Sequence, residues 1–269
     1  MSAAVGFIGP GQMGEPMVHR LLGAGHRVIV YARRDEVRNR LTAAGATVVD
    51  SAAGVAEGHR IIIVCLFSDD QLREVALGPD GLLAQCAPGT VVLSHTTGSV
   101  ATLRELASAR PEVTVLDAPI SGTAEDIANG RLTVLIGGPA DAAETAGSVV
   151  QAYASTVLHT GELGTALNLK LVNNVLFAAN AQLLSAAVAL AEDLDIEPED
   201  FLNALAACSA DSRVAGHVRG IGGIDNFTEL AAPFLRKDVD AALTAAKDAG
   251  TDLGLLYDVI ARGPLPLTG

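Results

Sequence analysis

The chain has 269 residues, of which 49% are hydrophobic and 18% are charged, and this globular composition excludes a disordered or repetitive protein. The formal net charge of -13 disfavours nucleic acid and anionic membranes as partners, so an anionic ligand needs a local cationic or backbone site. Cys65, Cys86 and Cys208 have no CxxC spacing, which predicts reduced thiols in a cytoplasmic protein. The N-terminus lacks the pattern of a signal peptide, and the uncharged run 171–191 contains polar residues that favour a buried helix over a membrane span.

The first half of the chain alternates apolar strands with helical segments. Strands are predicted at 4–9, 27–32, 46–50, 61–66, 90–95, 113–119 and 132–138. Helices are predicted at 13–22, 36–45, 69–76 and 101–110, with a weaker one ending at 57. Since the strands are continuous apolar runs, we predict an α/β fold with a doubly wound, mostly parallel sheet between two helical layers.

Beyond about Tyr153 the pattern becomes helical. Residues 155–161 allow one last short strand, and 164–193 predict a single long helix. Further helices are predicted at 198–207, 228–249 and 251–261. We therefore predict two domains, a nucleotide-binding α/β domain at 1–160 and an all-α domain at 161–269 that is entered through the long helix.

A glycine-rich turn follows the first strand. Gly9, Gly11 and Gly14 have the G-x-G-x-x-G spacing, between a predicted strand and a predicted helix. In a Rossmann fold these glycines permit the tight turn, the approach of a diphosphate to the backbone and close helix packing. The helix N-terminus then attracts the diphosphate. The motif predicts a dinucleotide site.

The end of the second strand bears on the choice of cofactor. An NAD site usually places an acidic residue there, whereas this sequence reads YARRD. Arg33 and Arg34 offer two guanidinium groups to a 2′-phosphate, and Asp35 comes later. The pattern favours NADP over NAD.

Four ordered motifs cover nearly the whole chain: GPGQMGEPM at 9–17, DAPISGT at 117–123, GELGTALNLKLVNN at 161–174 and FLRKDVDAAL at 234–243. Together they resemble the β-hydroxyacid dehydrogenase family, which includes 3-hydroxyisobutyrate dehydrogenase, tartronate semialdehyde reductase and glyoxylate or succinic semialdehyde reductase. 6-Phosphogluconate dehydrogenase is a more distant relative.

The resemblance implies roles for particular residues. Cofactor contacts are implied for Gly9, Gly11, Gln12, Met13, Gly14, Arg33, Leu66, Phe67, Thr96 and Lys237. Substrate contacts are implied for Ser121, Gly122, Thr123, Lys170 and Asn174, with Lys170 as the catalytic lysine. This chain departs from the family where Phe67 replaces a proline, Thr123 replaces a glycine and Gly164-Thr165-Ala166 replaces Gly-x-Gly. These departures do not change the expected reaction type, but they weaken any assignment of the substrate.

Lys170 is the one charged residue between Glu162 and Glu192. Burial on an apolar helix face would lower its pKa toward neutrality, because desolvation disfavours the cation. The lysine would then act as acid or base on the oxygen of the reacting carbon. Asn174 shares its helix face, while the Ser121 hydroxyl and the backbone at Gly122 suit the carboxylate of a small hydroxy acid. Thr123 offers a further donor.

Other polar residues have structural interpretations. Asn173 is interpreted as a buried polar contact between helices. Asp238 is interpreted as half of a surface pair with Lys237 or as a helix cap, and His95 is expected to have a structural role. The six histidines have no metal-ligand spacing, so no metal site is predicted.

These patterns predict an NADP-dependent dehydrogenase or reductase that acts on CH–OH groups of small carboxylate-bearing substrates. An imine reductase is an alternative enzyme, although Lys170 counts against it, and a non-catalytic dinucleotide-binding scaffold is the alternative outside enzymes. The long helix is apolar around most of its circumference, which predicts a homodimer or a dimer of dimers.

Overall fold

A mostly parallel sheet organises the first of two units in the computed structural model, which describes residues 3–268. Within those residues it has nine strands: β1 Ala4–Ile8, β2 Arg27–Tyr31, β3 Thr47–Val49, β4 Ile61–Val64, β5 Val91–Ser94, β6 Thr114–Asp117, β7 Ile120–Ser121, β8 Leu132–Gly137 and β9 Ala154–Gly161. The order is β3-β2-β1-β4-β5-β6-β8-β7, with β9 also paired to β8. The pairs up to β6 are parallel, β8 runs antiparallel to β6 and β7, and β9 runs parallel to β8.

Helices cover both faces of this sheet. They are α1 Gly14–Gly23, α2 Asp35–Ala43, α3 Ala52–Ala56, α4 Asp69–Ala76, α5 Leu82–Gln85, α6 Val100–Ala109, α7 Ala124–Ala128 and α8 Ala140–Val150. Alternate residues of β1 enter different cores, because side chains alternate across a strand. Phe7 packs with Met17 of α1, whereas Ile8 packs with Leu72 of α4. The predicted doubly wound sheet is confirmed.

The second unit is helical and begins at Leu171, inside the long helix α9 Thr165–Asp193. It continues with α10 Pro198–Leu205, α11 Arg213–Gly220, α12 Ile224–Asp248 and α13 Leu255–Arg262. By length and composition α9 would suffice for a membrane span, but half of its most apolar window is buried, as in the core helix of a globular protein.

A buried glutamine on α9 forms hydrogen bonds with the backbone of the segment 260–265. The Gln182 amide nitrogen donates to the carbonyls of Ile260 and Leu265, each at 2.8 Å, and its oxygen accepts from the Leu265 N–H at 2.7 Å. A side chain at Gly263 would collide with Gln182. The amide thus satisfies three backbone groups that would otherwise be costly to bury.

Several short elements were not predicted from the sequence. β7, α5 and α7 have only two to five residues, which is too short for an apolar period to be recognised, and α11 contains two glycines. The eleven-residue α8 was also missed, although its buried residues recur at helical spacing. Helix α12 begins at Ile224 rather than 228 and runs through Pro233. The short strand allowed at 155–161 is the eight-residue β9.

Candidate active site

Two glycines of the fingerprint are required by crowding at the carboxyl end of β1. Gly9 has φ +88, and a Cβ there would collide with the carbonyl of Cys65. A Cβ on Gly14, the first residue of α1, would collide with the carbonyl of Gly9. Gly11 faces open space, which leaves its backbone approachable. These are the three roles expected for a diphosphate-binding turn.

The other two residues of the turn lie just before α1. Gln12 is exposed, whereas Met13 is half-buried and packs against the core on that face of the sheet. Met13 therefore anchors the turn, and Gln12 is presented to solvent.

Two arginines follow β2. Arg33 and Arg34 are both exposed, and Asp35 is already the first residue of α2. The nearby Arg38 is engaged in structure, since it donates to the carbonyls of Ala32 and Val49. The exposed pair is therefore the cationic feature offered at this strand end.

The loops after β4 and β5 are joined by hydrogen bonds. The Leu66 N–H donates to the Thr96 hydroxyl at 3.3 Å, and the Ser99 N–H donates to the Asp69 carboxylate at 2.9 Å. Thr96 is buried, whereas the Phe67 side chain is 61% exposed. Phe67 thus presents an aromatic surface at the carboxyl edge of the sheet, where α/β proteins bind ligands.

Ser121 is the last residue of β7, and Gly122 lies between it and the cap of α7. Ser121 is half-buried and pairs with Thr133 of β8, and Gly122 has φ +137. Thr123 caps α7: its hydroxyl donates to the Asp126 carboxylate and accepts from the Asp126 N–H. The Thr123 N–H also donates to the Asp126 carboxylate at 2.9 Å, and this bond, together with that of the hydroxyl, lowers the pKa of Asp126. The Thr123 hydroxyl is thus engaged, which leaves Ser121 and Gly122 as the candidate groups for a ligand.

A buried histidine–tyrosine pair, whose connection the sequence did not reveal, lies beneath these loops. His95 Nδ1 donates to the carbonyl of Ala118, so the neutral ring has Nε2 as an acceptor, and Tyr153 donates its hydroxyl to Nε2 at 2.8 Å. The two rings meet edge to face. The pair ties the ends of β5 and β6 to the segment after α8, in agreement with the structural role expected of His95.

Burial gives His95 a pH-dependent effect on stability. Desolvation of the cation lowers its pKa from 6.5 to about 4, although the bond to Ala118 acts the other way. Between these pH values the unfolded state binds more protons, so stability falls as the pH falls. We expect the free energy of unfolding to drop by about 2 kcal/mol more between pH 7 and pH 5 in the wild type than in His95→Gln, as measured by urea denaturation. Equal losses in both proteins would contradict this assignment.

Lys170 is the sixth residue of α9 and lies in the first unit. Its side chain is half-buried.

The second unit holds the remaining polar residues. Asn174 is 7% exposed, and its amide donates to the Asp238 carboxylate at 2.8 Å. Asp238 lies in the middle of α12, so its interpretation as a helix cap is wrong. Asn173 is exposed and donates to the Asn174 side chain at 3.1 Å, so it is not the buried helix–helix contact expected. Lys237 is half-buried beside Asp238 in sequence.

Among residues 3–268, no group of three or more histidine, cysteine, aspartate or glutamate side chains is arranged to hold a metal ion.

Comparisons with known proteins extend over both units. Residues 4–161 match the family described as the NAD binding domain of 6-phosphogluconate dehydrogenase, and residues 164–262 match the NAD-binding family of NADP-dependent 3-hydroxyisobutyrate dehydrogenase. An uncharacterized oxidoreductase of Shewanella frigidimarina is 30% identical over 93% of this chain and 88% of its own length. A probable mitochondrial 3-hydroxyisobutyrate dehydrogenase of Dictyostelium discoideum is 28% identical over 94% and 82%. The solved Mycobacterium tuberculosis 3-hydroxyisobutyrate dehydrogenase with L-serine has the same fold, with a TM-score of 0.86 at 24% identity over 97% of this chain and 92% of its own.

Proposed function

Because the chain belongs to the β-hydroxyacid dehydrogenase family, we propose that it transfers hydride between NADP(H) and a small β-hydroxy acid or the matching semialdehyde. Family membership makes the protein a nicotinamide-dependent oxidoreductase that acts on CH–OH groups. The observation that carries the finer proposal is the presence of Lys170 on α9, close to the start of the second matched region. Substrate class and cofactor preference are parts of the proposal.

Lys170 is the proposed acid and base. When bound, the nicotinamide supplies or accepts the hydride. As a carbonyl is reduced, its oxygen gains negative charge, and the Lys170 ammonium stabilises that charge and donates a proton. In the oxidative direction the neutral amine removes the hydroxyl proton. This role requires proton exchange at Nζ and no metal ion.

The substrate carboxylate is assigned to Ser121 and Gly122. The Ser121 hydroxyl can donate to it, and Gly122 is exposed, so its backbone is approachable by a ligand. Asn174 is assigned to a substrate hydroxyl or to the orientation of Lys170, with its amide held by Asp238. These contacts orient a small hydroxy acid without selecting its side chain.

The NADP assignment is supported by the exposed Arg33 and Arg34 after β2. A protein with a net charge of -13 repels a cofactor phosphate unless cationic side chains lie at the phosphate-binding position. Asp35 would compete only from the first turn of α2.

The proposal is tested by a spectrophotometric panel of small semialdehydes and hydroxy acids with NADPH and with NADH. Turnover of at least one β-hydroxy acid or semialdehyde, with higher kcat/KM for NADPH, is the expected result. Reduction of cyclic imines without turnover of hydroxy acids would favour the imine reductase alternative. Tight NADPH binding without turnover of any substrate would favour the scaffold.

We also propose that the protein forms a homodimer through α9. Four residues at helical spacings of 4, 7 and 7 expose apolar side chains on one face of this helix: Val172, Leu176, Leu183 and Leu190, between 49% and 64% exposed. Light scattering should give at least twice the chain mass of 27.4 kDa at micromolar concentration. Leu183→Glu should lower that mass, whereas Leu255→Glu, at an exposed leucine on α13, should not. A wild-type monomer would defeat the proposal.

The cytoplasm is the proposed compartment. All three cysteines are free thiols, and burial raises the pKa of Cys86 to about 11, which suits a reducing environment in which no disulfide is needed.

A further inference from the structure

We propose that Asp117 is a positioning residue that fixes the first turn of α9, and with it Lys170, to the strand that leads to Ser121. This inference rests on the proposed function for the role of Lys170, whereas the contacts of Asp117 stand independently of it. Asp117 is the last residue of β6 and is 1% exposed.

The Asp117 carboxylate uses both oxygens on the beginning of α9. Oδ1 accepts from the Gly164 N–H at 2.7 Å, and Oδ2 accepts from the Leu167 N–H at 2.8 Å. The first N–H groups of a helix have no partner inside the helix, and an anion at that end is favoured by the helix dipole. The two bonds also offset the high cost of burying a carboxylate.

This cap differs from the others in the same unit because it comes from a distant part of the chain. Helices α3, α4 and α6 are each capped by a serine directly before the helix, namely Ser51, Ser68 and Ser99. Such local caps stabilise a helix without fixing where it lies. Asp117 instead comes from β6, 47 and 50 positions before its partners, so its bonds determine where α9 starts relative to the sheet.

The Asp117 carboxylate is close in sequence to, or in contact with, the segments that carry Ser121 and Lys170. Ser121 follows Asp117 by four residues, and Lys170 follows Leu167 by three, or about one helical turn. A shift of the first turn of α9 would therefore move Lys170 relative to the strand that carries Ser121. Misplacement of a catalytic group by about 1 Å can cost about a hundredfold in rate.

Two glycines leave space for the Asp117 carboxylate and for the beginning of α9. A Cβ at Gly137, which pairs with Asp117 across β6 and β8, would collide with the carboxylate. Gly164 has φ +96, and a Cβ there would lie 2.5 Å from Val100 Cγ1.

The test compares Asp117→Asn with the wild type. Asparagine keeps the shape but presents an NH2 group to one of the two N–H donors. We expect faster amide exchange over residues 163–170, and kcat per active site lower by about tenfold to a hundredfold. The NADPH Kd should change by less than about twofold, and the isotope effect with 4-deuterated NADPH should rise as hydride transfer becomes limiting. Ser51→Ala, which also removes a cap in the first unit, should leave kcat unchanged.

Gly137→Ala supplies a second approach, since it displaces the carboxylate without removing it and should reproduce the loss of kcat. Amide exchange needs no substrate, so failure of this inference is distinguishable from failure of the proposed function. Unchanged exchange in Asp117→Asn would overturn the anchoring role. Faster exchange with unchanged kcat, or a loss of activity that equals the loss of folded protein, would overturn the positioning role.

Discussion

Lys170→Ala should lower kcat for the hydroxy acid by about 10²–10⁴-fold and leave the NADPH Kd within about threefold of the wild type. The reason is that the alanine variant retains the cofactor turn in the first unit but lacks the group that exchanges a proton with the reacting oxygen. Steady-state kinetics and fluorescence titration of NADPH measure the two quantities separately. Asn168→Ala, at an exposed position two residues earlier on α9, is the matched control and should stay near wild-type kcat.

Two further measurements separate proton transfer from charge. Lys170→Arg keeps a cation that does not release its proton near neutral pH, so it should remain impaired. Small alkylamines added to Lys170→Ala should restore part of the rate, because they can supply the missing acid. Near-normal turnover by Lys170→Ala would remove the proposed mechanism, while a parallel loss of NADPH binding would assign Lys170 to the cofactor instead.

The features that were predictable from the sequence are those governed by local pattern. The glycine spacing at Gly9, Gly11 and Gly14 predicted a strand–turn–helix unit, and the structure supplies the collisions that require two of these glycines. The continuous apolar runs between the helical segments predicted the strands up to β6, because a strand that is buried on both faces needs an uninterrupted apolar sequence. Length and low charge predicted α9 in the same way.

The features that were missed depend on contacts between residues distant in sequence. Nothing near Asp117 in the sequence indicates that it caps a helix beginning at residue 165, and nothing near His95 indicates Tyr153 as its partner. Asp238 follows Lys237 directly in the sequence, and nothing there indicates that it also accepts a hydrogen bond from Asn174 on another helix. Local patterns report periodicity and capping, whereas these side chains are defined by which elements pack together.

The predicted substrate loop, residues 121–123, contains one residue of each kind. Ser121 remains a predicted ligand of the substrate, and it lies at the end of β7 directly before Gly122, whose φ is positive. Thr123 was chosen for its hydroxyl, but a threonine three residues before an aspartate is also a capping-box sequence, and the structure uses it in that way. The capping interpretation was available from the spacing of Thr123 and Asp126 alone.

The exposed arginines after β2 give the second large expected effect. The double variant Arg33→Ala/Arg34→Ala should weaken NADPH binding by about tenfold to a hundredfold and change NADH binding by less than about threefold. The 2′-phosphate is the group by which the two cofactors differ, so only NADPH loses its charged partners. Fluorescence titration with each cofactor gives the ratio of dissociation constants.

The matched control is Arg27→Ala, which removes an exposed arginine from the opposite end of β2 and should leave the ratio unchanged. Salt provides an independent check, because screening weakens exposed charge pairs. Raising ionic strength should weaken NADPH binding more steeply in the wild type than in the double variant. Wild-type preference for NADH, or an equal loss of both cofactors in the double variant, would mean that Arg33 and Arg34 do not contact a 2′-phosphate. In that case Asp35, at the start of α2, would be the residue to test as a partner of the ribose hydroxyls, since it is the first carboxylate after the strand.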